Sequence, residues 1–185
     1  MRVISGRAKG RKLQPVPGST TRPIMDRVKT ALFDVLRPEL EDAHVLDLFA
    51  GTGSIGIEAL SQGAAHCVFI EIERRAAETI RKNLAHTELA EFATVRHGDA
   101  FGFLKKCSRN FDLIFIDPPQ YQSLWSEALR AIAERPELLR DNGLIIVKID
   151  PHEYEELTLN DFTEEKRRRY GSSELVFYRK TTGCL

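Results

Sequence analysis

Residues 46–56 read LDLFAGTGSIG, and the reading of this stretch decides the fold. An apolar strand-like run interrupted by Asp47 passes directly into Gly51-x-Gly53-x-x-Gly56, which heads a helical pattern, SIGIEALSQG, stopped by Gly63. Glycines at such a strand-to-helix junction let a ligand approach the backbone closely, and the helix N-terminus favours negative charge. Glu71 follows about twenty residues on, at the end of the next strand pattern, where a carboxylate can accept both hydroxyls of a ribose. A nucleotide-like ligand is therefore expected, and up to this point a dinucleotide fits as well as any other. Tight turn packing is the alternative that needs no ligand.

The same alternation continues on both sides. Residues 43–49, 66–72, 93–99, 111–117 and 144–149 read as strands, the last preceded by an Asn142-Gly143 turn. Between them, residues 74–87, 100–107 and 123–133 read as helices, with Ala77, Ile80 and Leu84 on one face of the first. Such a rhythm predicts an α/β fold, Rossmann-like, with a mostly parallel doubly wound sheet. The rhythm breaks near the end. Two strand-like runs meet at Gly171-Ser172-Ser173, predicting an antiparallel C-terminal hairpin at the sheet edge. No repeat or second domain is found, so residues 1–185 are expected to form one domain, with residues 1–40 as a basic N-terminal extension of hairpin plus helix. In that extension Val3, Ile4 and Leu13 flank a basic, glycine-containing turn, and Asp26 is the expected N-cap of a helix carrying Val28, Leu32, Val35 and Leu36.

Three features turn the ligand away from a dinucleotide. Asp47 and Phe49 precede the glycines, placing an acid where a pyrophosphate would pass, and an acid suits a ligand bearing a positively charged amino group. Strand three ends in His97-Gly98-Asp99, where Asp99 could accept from an adenine amino group while the Ala100 N–H donates to the ring. Strand four ends in Asp117-Pro118-Pro119, which no dinucleotide site needs. Each acid alone could be a cap, but Asp47, Glu71, Asp99 and Asp117 all fall at carboxyl ends of successive strands, where open α/β sheets bind ligands.

Charge is distributed unevenly in a chain whose 27 basic and 27 acidic residues cancel. Through Thr30 there are eight basic residues (Arg2, Arg7, Lys9, Arg11, Lys12, Arg22, Arg27 and Lys29) against Asp26 alone. Subtraction leaves 19 basic and 26 acidic residues beyond it, a net −7 beside a +7 head. An anionic partner such as nucleic acid accounts for that asymmetry. A second cluster, Lys166 to Arg169, is equally readable as a solvated face. The chain has no stretch near the roughly 18 apolar residues of a membrane span, and its start lacks the apolar core of a signal peptide. Cys67, Cys107 and Cys184 form no CxxC pair, which fits reduced thiols in a cytoplasm and gives no sign of a metal.

DLFAGTGSIGIEAL, FIEIE, GDA and IDPP resemble, in order and spacing, the motifs of class I S-adenosylmethionine-dependent methyltransferases. RVISGRAKGRKL followed by RPIMDRVKTALFDVL is similar to the narrower N-terminal signature of the bacterial RsmD family, which methylates a guanine N2 in 16S ribosomal RNA. With the terminal hairpin the resemblance spans nearly the whole chain. It implies that Asp47, Phe49, Gly51 and Gly53 border the methionine part of S-adenosyl-L-methionine, Glu71 its ribose, and Asp99 with Ala100 its adenine. It implies further that Asp117, Pro118 and Pro119 face the target base, with Gln120 and Tyr121 beside it. Arg7, Lys9, Arg11, Lys12, Arg22 and Arg27 would meet the RNA, as naked 16S rRNA or in a small-subunit particle. A cytoplasmic monomer without metal is the expected form. Other amines (adenine N6, a protein glutamine), an NAD-dependent oxidoreductase and a non-catalytic RNA-binding assembly factor are the competing readings.

Two positions depart from the resemblance. The residue after Asp-Pro-Pro is Gln120, where amine methyltransferases usually carry Tyr or Phe to stack on the base; Tyr121 swinging in, the Gln120 amide, or Trp125 could substitute, though Trp125 has the helical spacing of a core residue. Ile24 stands where threonine is more usual after Arg-Pro.

Overall fold

The computed structural model describes residues 1–18 and 24–181. Twelve main elements follow one another: α1 (Asp26–Leu36), β1 (His44–Asp47), α2 (Ser54–Ser61), β2 (His66–Glu71), α3 (Arg74–Thr87), β3 (Ala93–His97), α4 (Ala100–Lys106), β4 (Phe111–Ile116), α5 (Leu124–Ala133), β5 (Leu139–Ile149), β6 (Phe162–Tyr170) and β7 (Ser173–Lys180). The sheet order is β3-β2-β1-β4-β5-β7-β6. Strands β1 to β5 pair in parallel, and β7 pairs antiparallel with both β5 and β6. The predicted Rossmann-like α/β architecture and its terminal hairpin are thus the observed ones. The strand order reverses between β1 and β4, the place where such sheets open a ligand crevice.

Side-chain alternation explains why the sheet is covered on both faces. Val45, Cys67, Phe69, Leu113, Phe115 and Ile146 point into one core with residues of α1, α2 and α3. Leu46, Val68, Ile70, Ile114, Ile145 and Val147 point into the other with residues of α4 and α5. Phe33 of α1 lies against Phe115 of β4, ring centres 6.2 Å apart, and so sets α1 over the middle of the sheet. Cys67 and Cys107 are buried free thiols, as their sequence surroundings imply. Trp125 is core.

The head is a small hairpin: Val3 N–H donates to Arg11 O, Gly10 N–H to Val3 O, and Arg2 bridges Lys12 antiparallel. Val3, Ala8 and Leu13 bury against the helix layer. Three expectations change here. Asp26 does not cap α1; Met25 occupies that position, and Asp26 lies in the first turn with its carboxylate 3.3 Å from Arg2. The fifth strand begins at Leu139 rather than 144, because Asn142 and Gly143 form a bulge inside it instead of a turn before it. Asn142 adopts φ +61°, and a Cβ on Gly143 would fall 2.6 Å from Leu139, so the bulge is packed shut.

Lys29 is the third change. One of the eight basic residues of the head, it is fully buried rather than free, its Nζ 3.0 Å from Oε2 of the equally buried Glu58 on α2 and 2.6 Å from Arg2 O. Glu58 also accepts from the main-chain N–H groups of Ile4 and Ser5 and from Gln62 Nε2. Both carboxylate oxygens of Glu58 and two of the three ammonium donors of Lys29 are therefore engaged, which is what makes a buried ion pair tolerable. It fastens hairpin, α1 and α2 to one another. Asn83, buried on α3, adds a second fastening: its amide exchanges hydrogen bonds with Gln14 main chain and donates to Thr52 O in the glycine loop.

Candidate active site at the carboxyl ends of the strands

The glycine loop takes its shape from two left-handed residues, Gly51 (φ +54°) and Gly53 (φ +77°), the latter serving as the N-cap of α2. A Cβ on Gly51 would meet nothing within 4 Å, so the loop presents bare backbone to open space there. Gly56 does a different job: a Cβ would fall 2.3 Å from Phe69 and 2.6 Å from Cys67 Sγ, so only glycine lets α2 lie this close to β2.

Since Gly53 has no side chain to cap α2, the cap comes from Asp47, whose Oδ2 accepts from Gly56 N–H at 3.1 Å. Burial pushes the Asp47 carboxyl up to about 7; the Gly56 N–H opposes this, while Asp117 and Glu71 add to it. In the unfolded chain this group ionises near 3.8. Between those values the folded state binds more protons than the unfolded one, so the Asp47 contribution falls as pH rises from about 4 to about 7. Asp47→Asn keeps an acceptor for Gly56 without the charge. Thermal melts from pH 4 to pH 8 are expected to show the variant gaining on the wild type as pH rises, by a few kcal/mol at most; parallel curves would refute the assignment.

Glu71 is already occupied. Its Oε2 accepts from Gly51 N–H at 2.7 Å and its Oε1 from Glu73 N–H at 2.8 Å, so it pins the glycine loop to the end of β2. Each carboxylate oxygen keeps further acceptor capacity for a ligand hydroxyl. Asp99 is the N-cap of α4, accepting from Gly102 N–H at 2.6 Å, and Ala100 beside it is buried as the first helical residue. Phe49 is half-buried and meets Phe101 edge to face. Ser54, at the start of α2, is buried with no hydrogen-bond partner for its hydroxyl among the described residues.

Asp117 follows β4 and forms an ion pair the sequence reading missed: Oδ1 lies 2.7 Å from Nζ of Lys148 on the neighbouring strand β5. The two side chains are 30% and 15% exposed, so the pair is neither on the open surface nor sealed. A shallow recess reaches it, lined among others by Ile24, Leu32, Ile55 and Phe115. Ile24 is therefore an apolar wall of this recess. Pro118 is buried, whereas Pro119 and Gln120 are exposed. Tyr121 is 69% exposed at φ +61°; its N–H donates to Glu153, and the neighbouring Asp150 carboxylate raises its phenol above the ordinary range. To stack on a base it must leave Asp150. A signal for Lys148 existed: it ends a strand pattern just as the four acids do.

The structure divides the basic residues assigned to RNA. Arg7 lies 4.1 Å over the Phe92 ring and donates to Leu60 O; Arg11 pairs with Glu88 and donates to His86 O. Both are engaged in holding the head to α2 and α3. Lys9, Lys12 and Arg27 are exposed and have no acidic partner among the described residues. Arg22 lies outside the described residues. No helix is long and apolar enough to cross a membrane among the described residues.

Comparison with known proteins identifies relatives over nearly the whole chain. Ribosomal RNA small subunit methyltransferase D of Escherichia coli is 42% identical over 144 residues, covering 77% of this chain and 68% of that protein. The hypothetical protein TTHA0928 of Thermus thermophilus superposes with a TM-score of 0.79 at 28% identity, over 96% of this chain and 98% of that one. An RNA methyltransferase of Salinibacter ruber, solved with S-adenosyl-L-homocysteine, shares the fold at TM-score 0.68 and 16% identity, over 89% and 97% of the two chains. The family model described as Conserved hypothetical protein 95 matches residues 1–179, head, glycine loop, Asp-Pro-Pro and hairpin alike, and the chain belongs to that family, the RsmD methyltransferases.

Proposed function

We propose that this chain transfers a methyl group from S-adenosyl-L-methionine to the exocyclic N2 amine of a guanine in 16S ribosomal RNA of the small subunit. The observation that carries the reading is the Asp117–Lys148 pair at the mouth of a recess beside the glycine loop, at the switch point of the sheet. The named relative acts on small-subunit ribosomal RNA, which supports the substrate class. The residues present suit the cofactor. Gly51 offers open backbone, Asp47 a buried carboxyl for a cationic amino group, Glu71 spare lone pairs for a ribose, and Ser54 an unused hydroxyl.

The bound sulfonium supplies an already activated methyl, so the protein's task is alignment. An exocyclic base amine is a weak nucleophile because its lone pair is delocalised into the ring. Lys148 holds Oδ1 of Asp117, leaving Oδ2 free to accept one amine N–H, while Pro118 O accepts the other. Those two bonds draw the nitrogen toward tetrahedral geometry and aim its lone pair. Consecutive prolines hold both acceptors still and present no N–H to compete. Asp117 can receive the proton released after transfer. Lys148→Met is expected to lower kcat about tenfold with the RNA KM little changed, since one misdirected acceptor costs on the order of 1–2 kcal/mol; an effect confined to KM would place Lys148 in RNA binding.

The exposed cations of the head supply sequence-independent affinity for phosphate, with recognition of a folded RNA left to shape. We assign the protein to the cytoplasm as a monomeric single domain of residues 1–185, with residues 1–40 an extension within it.

The test is methyl transfer from labelled S-adenosyl-L-methionine to small-subunit particles isolated without the modification, followed by digestion to nucleosides. Label in N2-methylguanosine is the expected result. Label in another nucleoside would keep the reaction and remove the substrate.

A further inference from the structure

The cluster Lys166 to Arg169 lies on β6, the outermost strand, and side chains alternate between its two faces. Register decides which residue points where. Arg168 pairs with Leu175, and Leu175 pairs with Lys148, whose ammonium meets Asp117 on the next strand. Asp117, Lys148, Leu175 and Arg168 thus form one row across β4, β5, β7 and β6. Leu175 belongs to the core beneath α1, and Phe177, the partner of Lys166, belongs to it too. Lys166 and Arg168 therefore project on the face that carries the recess. Arg167 pairs with Val176 of the opposite core, and its guanidinium lies 3.8 Å over the ring of Tyr154, which packs on that same side. Arg169 shares the Arg167 face.

Neighbouring strands lie about 4.8 Å apart, so three steps place the Arg168 backbone about 14 Å from that of Asp117 along the row. Two acids near it are committed elsewhere, and Glu174 pairs in register with Arg169 on the opposite face. Glu164 takes Arg167 and the Tyr154 hydroxyl, and Glu165 takes Arg179. Lys166 and Arg168 are exposed and have no acidic partner among the described residues. Beyond the head the chain as a whole is net negative, so two unneutralised cations in line with the reacting carboxylate run against that overall balance. Charged edge strands also guard against sheet-to-sheet pairing. That purpose is indifferent to face, and the difference between the faces separates the two explanations.

We propose that the Lys166–Arg168 face of β6 is a second phosphate-contacting arm, holding the RNA strand that flanks the target base on the side away from the head. It rests on the reading of ribosomal RNA as substrate. The experiment compares two double variants of equal charge loss, Lys166→Gln/Arg168→Gln and Arg167→Gln/Arg169→Gln. The measurement is kcat/KM for methyl transfer to unmodified small-subunit particles across a range of salt concentrations, with melting temperature and S-adenosyl-L-homocysteine binding as controls. The first variant is expected to lose about tenfold or more in kcat/KM at low salt through KM. Its salt slope should flatten by about 1.4 to 1.8, the share of two phosphate contacts. The second should keep the wild-type slope. Equal losses in both variants would overturn the face assignment, and wild-type slopes in both would leave β6 with edge protection only. A wild type inactive on the particles would overturn the substrate reading and this arm with it, an outcome distinct from either of those.

Discussion

Asp117→Ala is expected to reduce methyl transfer by roughly a hundred- to a thousandfold while leaving cofactor binding and the fold in place. The magnitude follows from what the carboxylate does. It supplies one of two acceptors that orient the amine, and a hydrogen bond to a charged group contributes about 1.5–3 kcal/mol, or ten- to a hundredfold. Truncation also releases Lys148, whose ammonium at 15% exposure is then left pointing into the recess where the base must enter. Asp117→Asn should fall between wild type and alanine, because a carboxamide oxygen still accepts from the amine but no longer holds Lys148 by charge. Single-turnover transfer gives the chemical step, and calorimetry with S-adenosyl-L-homocysteine gives cofactor affinity separately. An alanine variant within threefold of wild type would remove Asp117 from the chemistry. It would then favour a protein that keeps the fold to bind RNA without modifying it.

Much of this site was legible from sequence because its chemistry is tied to local pattern. The ends of β1, β2 and β4 announce themselves by acids closing apolar runs, and α3 occupies residues 74–87 as its periodicity predicts. What stayed hidden depends on contacts between distant segments. Lys29 has the sequence neighbourhood of a surface lysine on an amphipathic helix, and nothing within a helical turn reveals that Glu58 waits on another helix. A weaker signal sat on the other partner: SIGIEALS is apolar nearly all round, and an acid in a helix buried on every side requires a partner. The Asn142-Gly143 pair misled for a different reason. Its conformation favours a turn, and the chain uses that conformation to bulge a strand. Composition reports the charge of Arg7 and Arg11 and not its occupancy, and carbonyls at the ends of α2 and α3 accept hydrogen bonds from both.

Cofactor binding should carry the signature of Asp47. A cationic ligand group favours the ionised carboxylate, so the affinity for S-adenosyl-L-homocysteine is expected to rise as pH increases toward and through about 7. Asp47→Asn should bind more weakly and with a flatter profile. A falling affinity over that range would mean that Asp47 is only the cap of α2.

Lys29→Met is expected to destabilise the protein by about 3–5 kcal/mol, the cost of leaving Glu58 charged, buried and unpaired. For a chain of this size that corresponds to a fall in melting temperature of roughly 6–20 °C. Lost packing alone would give a smaller loss, and the pair of substitutions tells them apart by sign. In the wild type, Glu58→Gln removes the charge opposite Lys29 and should destabilise. In the Lys29→Met background the same change removes an uncompensated charge, while the glutamine oxygen still accepts from Ile4 and Ser5 N–H, so it should stabilise. A substitution that reverses sign with its partner is evidence of coupling that no sum of independent effects reproduces. Because Glu58 also anchors residues 4 and 5, the Lys29→Met protein should open first at the head. Trypsin should then cut at Arg7 or Lys9 faster than in the wild type, before global unfolding. If the double variant melts lower than both singles, the ion pair is not what fastens the hairpin, and the Asn83 bonds to Gln14 become the next place to look.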